Sequence, residues 1–347
     1  VAVIWPRWQQ KVLILLFFIT AIHSVSVSLG LYALYYLVCA VHRPRLAYKK
    51  QGQVVDIVQS CPKLSAYYWP GPFWLPDPNI QMLLYLAKEH WNRRWKGKYL
   101  HEELELPDGG GVGLDWMPNT RKALSALPKD APTIVILHGV CGHSDDLAVL
   151  YCALSCARRG WRVCIMIRRG HSRMKLSTPR FNIFGDTRDL NAVVQHVHGT
   201  YPLSPVAVIG FSAGSALAMR YVGEQGRSAE DNGVFCGVGI APGYDISVCC
   251  TRVNPFWGKA LLRRMKRHFL QRHADVLSHE DKKAYDHVME ATNCHDFVAS
   301  GISAFSPNST PGEAHPTVDT KPTVPGRSIY SITTRSVRGR RPKCVTR

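Results

Sequence analysis

From Val12 to Val41 the chain runs for thirty residues without Asp, Glu, Lys or Arg. That exceeds the roughly 20 apolar residues needed to cross the hydrocarbon of a bilayer. A buried core helix would show polar positions at a helical period, and none recur here, so the stretch predicts a transmembrane helix with Tyr32, Tyr35 and Tyr36 near an interface. Beyond it lie the aromatic turn-formers Tyr67 to Trp74 and a helical pattern over Ile80–Trp95. Leu106-Pro107-Asp108-Gly109-Gly110 then reads as the turn of a hairpin. From Thr133 the pattern changes to strict alternation: apolar strand runs at 133–137, 162–167, 206–209 and 234–240, separated by helical spacings at 145–159, 186–198 and 215–224. Such alternation predicts a parallel sheet with helices on both faces. The alternation stops after Pro242. Residues 255–298 read as a basic helical cap, and from Gly301 the Ser/Thr/Pro/Arg-rich chain shows no periodicity.

The predicted organisation is therefore a flank at 1–11, a transmembrane helix at 12–41, an aromatic-rich extension with a hairpin at 51–130, an α/β core at 131–250, a basic helical cap at 251–300 and a disordered basic tail at 301–347. Positive-inside counting sets Arg43, Arg45, Lys49 and Lys50 after the helix against Arg7 and Lys11 before it. It favours a single-pass membrane protein with its catalytic domain in the cytoplasm.

A net charge of +18 over 347 residues raises the question of nucleic acid. Its distribution answers otherwise. Eight Lys/Arg lie in residues 301–347 and six in Lys259–Arg272, with no zinc spacing, helix-turn-helix cue or aromatic RNA-binding signature. On a chain with a membrane segment, that charge favours anionic headgroups. The eleven cysteines include no CxxC and lie in apolar runs and helices, as buried thiols do rather than a disulfide framework. No ligand spacing or phosphate loop implies a metal or cofactor.

The chemistry concentrates at Gly210-Phe211-Ser212-Ala213-Gly214. A GxSxG string alone arises by chance in about one chain of this length in ten. Here the apolar strand Val206–Ile209 leads directly into it and a helix pattern leaves it, the strand–turn–helix setting of a nucleophile elbow. Gly210 and Gly214 would avoid a Cβ clash, and the Ser212 hydroxyl would stand at a helix N-terminus. Some 70 residues earlier, His138-Gly139-Val140-Cys141-Gly142 closes the first strand of the series. Its Val140 N–H, with that of Ala213, would form the oxyanion hole. His138 reads as a loop-orienting residue rather than a base.

These residues make the chain resemble the α/β-hydrolase superfamily, in particular its membrane-anchored YheT-like branch (AB hydrolase family 4). The resemblance spans roughly Cys61 to Val298. It adds the Leu106–Gly109 hairpin, Arg169-Gly170, Thr178-Pro179-Arg180 and Thr187-Arg188-Asp189-Leu190 to the two motifs above. It implies a serine esterase or lipase of acyl lipids, anchored by one N-terminal helix. A serine-aminopeptidase label extends to such sequences, and several members place the catalytic domain on the lumenal side.

One part of the pattern is missing. A serine hydrolase needs a carboxylate and a histidine after the nucleophile, and no strand ending in Asp or Gly-His loop follows Ser212. His295, Asp296, His315 and Asp319 read as solvated, so the triad Asp and His are not assigned. The sequence thus predicts an α/β-hydrolase sheet with flanking helices that lacks its C-terminal strands, either because the reading frame is cut or mis-spliced near Val298, the favoured explanation, or because this is a natural short form in which Ser212 has no base. The expected function is membrane-anchored ester hydrolysis through an acyl-Ser212 intermediate, acting on a membrane lipid or small acyl ester. The alternatives are a catalytically impaired scaffold of hydrolase shape and a serine aminopeptidase.

Overall fold

The computed structural model describes residues 7–48, 50–51, 53–71, 77–92, 97–183, 186–226, 233–305 and 330–332. The chain divides into two units, Val1–Trp91 and Asn92–Arg347.

In the first unit, helix α1 (Arg7–Tyr35) continues into a π-helical turn at Tyr36–Ala40. Over Leu15–Ala40 the mean hydropathy is 1.8, and its most apolar window is not buried, so the helix is long and apolar enough to cross a membrane. It fits a single-pass anchor. The aromatic segment folds back on its end: Tyr36 Oη donates to the Pro70 carbonyl at 2.8 Å, and the Arg43 guanidinium sits 4.5 Å from the Tyr67 ring centroid. Helices α2 (Gln53–Ser60) and α3 (Pro78–Asn92) follow.

The second unit is built on one seven-stranded sheet. Its strands are β1 (Leu100–Glu105), β2 (Gly111–Met117), β3 (Thr133–Leu137), β4 (Arg162–Ile167), β5 (Val206–Phe211), β6 (Val234–Ile240) and β7 (Tyr330–Ile332). Their order is β1-β2-β4-β3-β5-β6-β7. The hairpin β1–β2 and the β2–β4 pair are antiparallel, and every other pair is parallel. A short helix α4 (Arg121–Ser125) precedes β3. Alternate residues of the central strands face two layers. Val135, Leu137 and Val208 pack with α6 (Arg188–Thr200) and α7 (Ala213–Gln225), through Val193, Val194, Leu217 and Tyr221. Ile134, Ile136 and Ile165 pack with α5 (Leu147–Ala157), through Val149, Leu150 and Ala153. Both layers shed apolar surface to water-free contact, the main driving force for this architecture. The ten cysteines among the described residues are free thiols.

A third apolar cluster is formed by the cap helices α8 (Ile246–Thr251), α9 (Pro255–Met265), α10 (Ala274–Glu280), α11 (Lys282–Glu290) and α12 (Cys294–Phe305). Leu262, Met265, Phe269, Phe297 and Phe305 pack there with Phe181, Ile183 and Cys141. The cap therefore rests directly on the loop that follows β3.

Three expectations change. The hairpin is part of the seven-stranded sheet, so the break falls at Trp91/Asn92 rather than at 130/131. Its antiparallel ladder to β4 runs over Gly113–Met117, and Val112, Leu114 and Trp116 join the core. The helical region continues to Phe305, whose ring stacks on Phe181 at 5.4 Å, instead of ending at 300. The sheet also gains a short strand where none was expected, with Tyr330–Ile332 pairing parallel to Val238–Ile240. His315 and Asp319 lie outside the described residues.

Candidate active site

Strands β3, β4 and β5 are neighbours and parallel, so their C-terminal ends open on the same edge of the sheet. Open α/β sheets place ligands at that edge. Each strand there hands on one piece of the site.

From β5 comes the elbow. Ser212 has φ 51° and ψ −117°, between the end of the strand and the first turn of α7. A non-glycine residue in that region carries about 1–3 kcal/mol of strain. It is held there by its own amide, which donates to the Ile240 carbonyl of β6 at 3.0 Å, and by its carbonyl, which accepts from the Ser215 N–H at 2.9 Å. The flanking glycines are obligatory. A Cβ on Gly210 would collide with the Gly214 carbonyl and lie 2.5 Å from Ser215 Cα; one on Gly214 would lie 2.5 Å from the His138 carbonyl oxygen. The helix thus sits against both the strand it leaves and the loop after β3. Ser212 is an exposed residue.

From β3 comes the loop His138–Gly142. A Cβ on Gly139 would lie 3.5 Å from Ser212 Cβ and 4.0 Å from its Oγ, so the loop runs directly past this serine. Val140 is the next residue and half-buried. Among the described residues no hydrogen bond engages the N–H of Val140 or of Ala213, the two amides expected to form the oxyanion hole. Cys141, at φ 53°, points into the cap cluster. Burial pushes its thiol up to about 12, so it is no competing nucleophile.

From β4 comes Arg168. Its guanidinium is fully buried and donates to the carbonyls of Gly139 at 2.6 Å, His138 at 3.3 Å and Ile183 at 2.7 Å. Among the described residues no carboxylate forms an ion pair with it. Beside it three imidazoles stack, with His138–His171 centroids 4.9 Å apart and His171–His268 4.6 Å apart. Burial first, and the Arg168 charge next, hold His138 and His171 well below the usual histidine range. Burial and Arg272 bring His268 to about 3. All three are neutral at physiological pH. His138 is thereby a loop-holding residue, its Nδ1 2.8 Å from the Gly139 carbonyl.

The adjacent Arg169 turns the other way. It donates to Asp189 at 2.7 and 2.8 Å, to Asp108 at 2.8 and 3.0 Å and to Thr178 Oγ1 at 3.3 Å. Arg180 also reaches Asp108 at 3.3 Å. Four separate sequence motifs meet on this one guanidinium. Hydrogen bonds from Arg169 and Gly110 outweigh the effect of burial and hold the Asp108 carboxyl below its usual range. At Asp189 burial wins, and the carboxyl lies above it despite the same partner.

Among the described residues no hydrogen bond joins Ser212 Oγ to a histidine, and no cluster of His, Cys, Asp and Glu could hold a metal ion. His295 and Asp296 are exposed on α12, 3.4 Å apart and both in the first turn of that helix.

A family model described as serine aminopeptidase, S33, matches residues 128–304, just over half of the chain. The chain belongs to this α/β-hydrolase family. The matched stretch holds the loop after β3, the elbow and the whole cap. Among curated proteins it is similar to the mouse phospholipase ABHD3, 31% identical over 206 residues that are 58% of this chain and 49% of that one. The human phospholipase ABHD3 is 26% identical over 279 residues, 79% of this chain and 66% of that one. The human monoacylglycerol lipase ABHD2 is 28% identical over 204 residues, 58% of this chain and 46% of that one. The chain thus spans between about half and two thirds of the length of these relatives. What sequence reasoning missed in this S33-family site is Arg168 with its histidine stack. The doubled arginine after an apolar strand was the available signal.

Proposed function

We propose that the chain is the catalytic part of a membrane-anchored serine hydrolase that cleaves lipid acyl esters. Ser212 Oγ attacks the ester carbonyl carbon and the alcohol leaves, giving an acyl-Ser212 intermediate that water then hydrolyses. The observation that carries this reading is the strained, exposed serine at the head of α7, with the Gly139–Val140 peptide beside it. The N–H groups of Val140 and Ala213 and the α7 N-terminus would meet the developing oxyanion, where one preorganised donor is worth roughly 10²–10³ in rate. The relatives' names, phospholipase and monoacylglycerol lipase, support lipid esters as the substrate class. The base and its carboxylate are unassigned on the described residues.

The test is a fluorophosphonate probe on the full chain in detergent. We expect labelling of the wild type and none of Ser212→Ala. Absence of labelling in cooperatively folded wild type would leave a non-catalytic scaffold as the reading. A panel of p-nitrophenyl esters and aminoacyl amides separates esterase from aminopeptidase. The charge count around α1 favours a cytoplasmic catalytic unit; protection from added protease in sealed, right-side-out cells is the expected result.

A further inference from the structure

The cap carries a surface that ester cleavage at Ser212 does not use. From Ile246 to Ala274 the sequence has seven Lys/Arg and no Asp or Glu. Lys259, Arg263 and Arg267 recur every fourth residue along α9 and the π-helical turn that continues it, Lys266–Leu270, so they fall on one side of the helix. All three are exposed, and among the described residues none makes a side-chain hydrogen bond or ion pair. The neighbouring cations are held without neutralisation: Arg264 donates to the Cys141 carbonyl at 3.1 Å, Lys266 to that of Met289 at 2.6 Å and Arg272 to that of Ser172. Like charges four residues apart repel, so the face stores repulsion that an anionic partner would relieve.

Its shape narrows the partner. A cavity of about 370 Å³ is lined by Lys259, Leu262, Arg263, Lys266, Arg267 and Gln271, cationic walls around an apolar leucine. At the start of the same helix Phe256 is 68% exposed, and Tyr244 and Val248 expose 48% and 39% just before it. Exposed aromatic and aliphatic groups beside a cationic stripe suit the headgroup–acyl boundary of a bilayer. A single-stranded nucleic acid would match the charge and could stack on the aromatic rings, but it gives no role to exposed aliphatic Val248. The same chain carries a helix of membrane-crossing length, which would keep lipid at high effective concentration.

We propose that the α9 face of the cap docks on anionic phospholipid, with Phe256 at the acyl boundary and Lys259, Arg263 and Arg267 on lipid phosphates. This contact does not depend on the chemistry of Ser212. For the test, the full chain carrying Phe256→p-benzoylphenylalanine is reconstituted in vesicles of phosphatidylcholine, alone or mixed with phosphatidylserine. After illumination, lipid adducts at position 256 are counted by mass spectrometry. Adducts should be several-fold more abundant in the mixed vesicles and fall with added salt. They should drop at least about tenfold in Lys259→Glu/Arg263→Glu/Arg267→Glu, because each cation near an anionic surface contributes about fivefold in affinity. The three sites are exposed, and an unchanged thermal melt will show that the triple variant folds. Equal yields in the two vesicles, or retention of single-stranded RNA by the face with no lipid adduct, overturns the proposal. Loss of probe labelling at Ser212 with lipid adducts intact would sink the hydrolase reading alone.

Discussion

Arg168 and Arg169 are adjacent, both buried, and leave the same strand end in opposite directions. On the hairpin side, Arg169 lies between two carboxylates, Asp108 and Asp189, which raise its proton affinity above the ordinary guanidinium value in spite of burial. On the side of Ser212, Arg168 hydrogen-bonds carbonyl oxygens and lies against neutral imidazoles, and burial lowers it to about 10 although Asp146 and Asp189 act against that shift. One region neutralises its cation with charge, the other solvates it with dipoles. The first arrangement locks four loops together and leaves no net field. The second fixes the carbonyl of Gly139, hence the direction of the following peptide, and leaves a positive charge under the loop where an oxyanion would form.

The comparison predicts different consequences for the same substitution. Arg169→Met strands the buried Asp189 carboxylate and leaves Asp108 only Arg180 and the Gly110 N–H, and should cost about 3–5 kcal/mol. Urea unfolding of the full chain in detergent would show it, and a loss below 1 kcal/mol would mean that Asp108 and Asp189 are not held by this residue. Arg168→Met strands only carbonyls, at about 1–3 kcal/mol. It should nevertheless slow fluorophosphonate labelling of Ser212 by roughly 10², whereas Arg169→Met, compared at temperatures where it is folded, should slow it far less. Equal slowing in the two variants would erase the distinction.

Acid separates the regions by sign. His138, His171 and His268 have folded values far below the ordinary 6.5 or so, so only the unfolded chain takes up their protons as the pH falls. Stability should therefore decline from about pH 6.5 downwards, and His268→Phe should flatten that decline in denaturant titrations between pH 7 and 4.5. The hairpin side responds later. Stabilisation from Asp108, whose value is lowered, is present above the ordinary carboxylate range near 4 and fades below it, while raised Asp189 works in the opposite sense. The smallest effect belongs to Thr178→Val, which removes one 3.3 Å bond to Arg169 and should cost about 0.5–1.5 kcal/mol by the same unfolding assay.

Local pattern made much of this legible. The alternation from Thr133 to Ile240 placed the parallel strands, and the glycines around Ser212 announced a turn that admits no side chain. The hairpin was legible but its place in the sheet was not, because an antiparallel pair ahead of the β/α series carries no sign of which strand it will join. Strand β7 escaped because three residues within a Ser/Thr/Arg-rich stretch show no period. Arg168 and His268 were hidden by company. An arginine beside another arginine, and a histidine within Lys266-Arg267-His268, carry no local sign of burial, yet the fold buries the first and half-buries the second. The hairpin turn, Arg169-Gly170, Thr178 and Asp189 were noticed as separate motifs. Only coordinates show that they are one contact.

The backbone at position 212 has a consequence for how this residue is retained. Glycine would occupy φ 51°, ψ −117° without the strain that a Cβ imposes. Thermal selection alone would therefore favour replacing the serine, and a Ser212→Gly protein should melt higher than its parent. Whatever preserves a hydroxyl there acts against the thermodynamics of the fold, which makes the elbow a place where durability and reactivity are traded at a single atom.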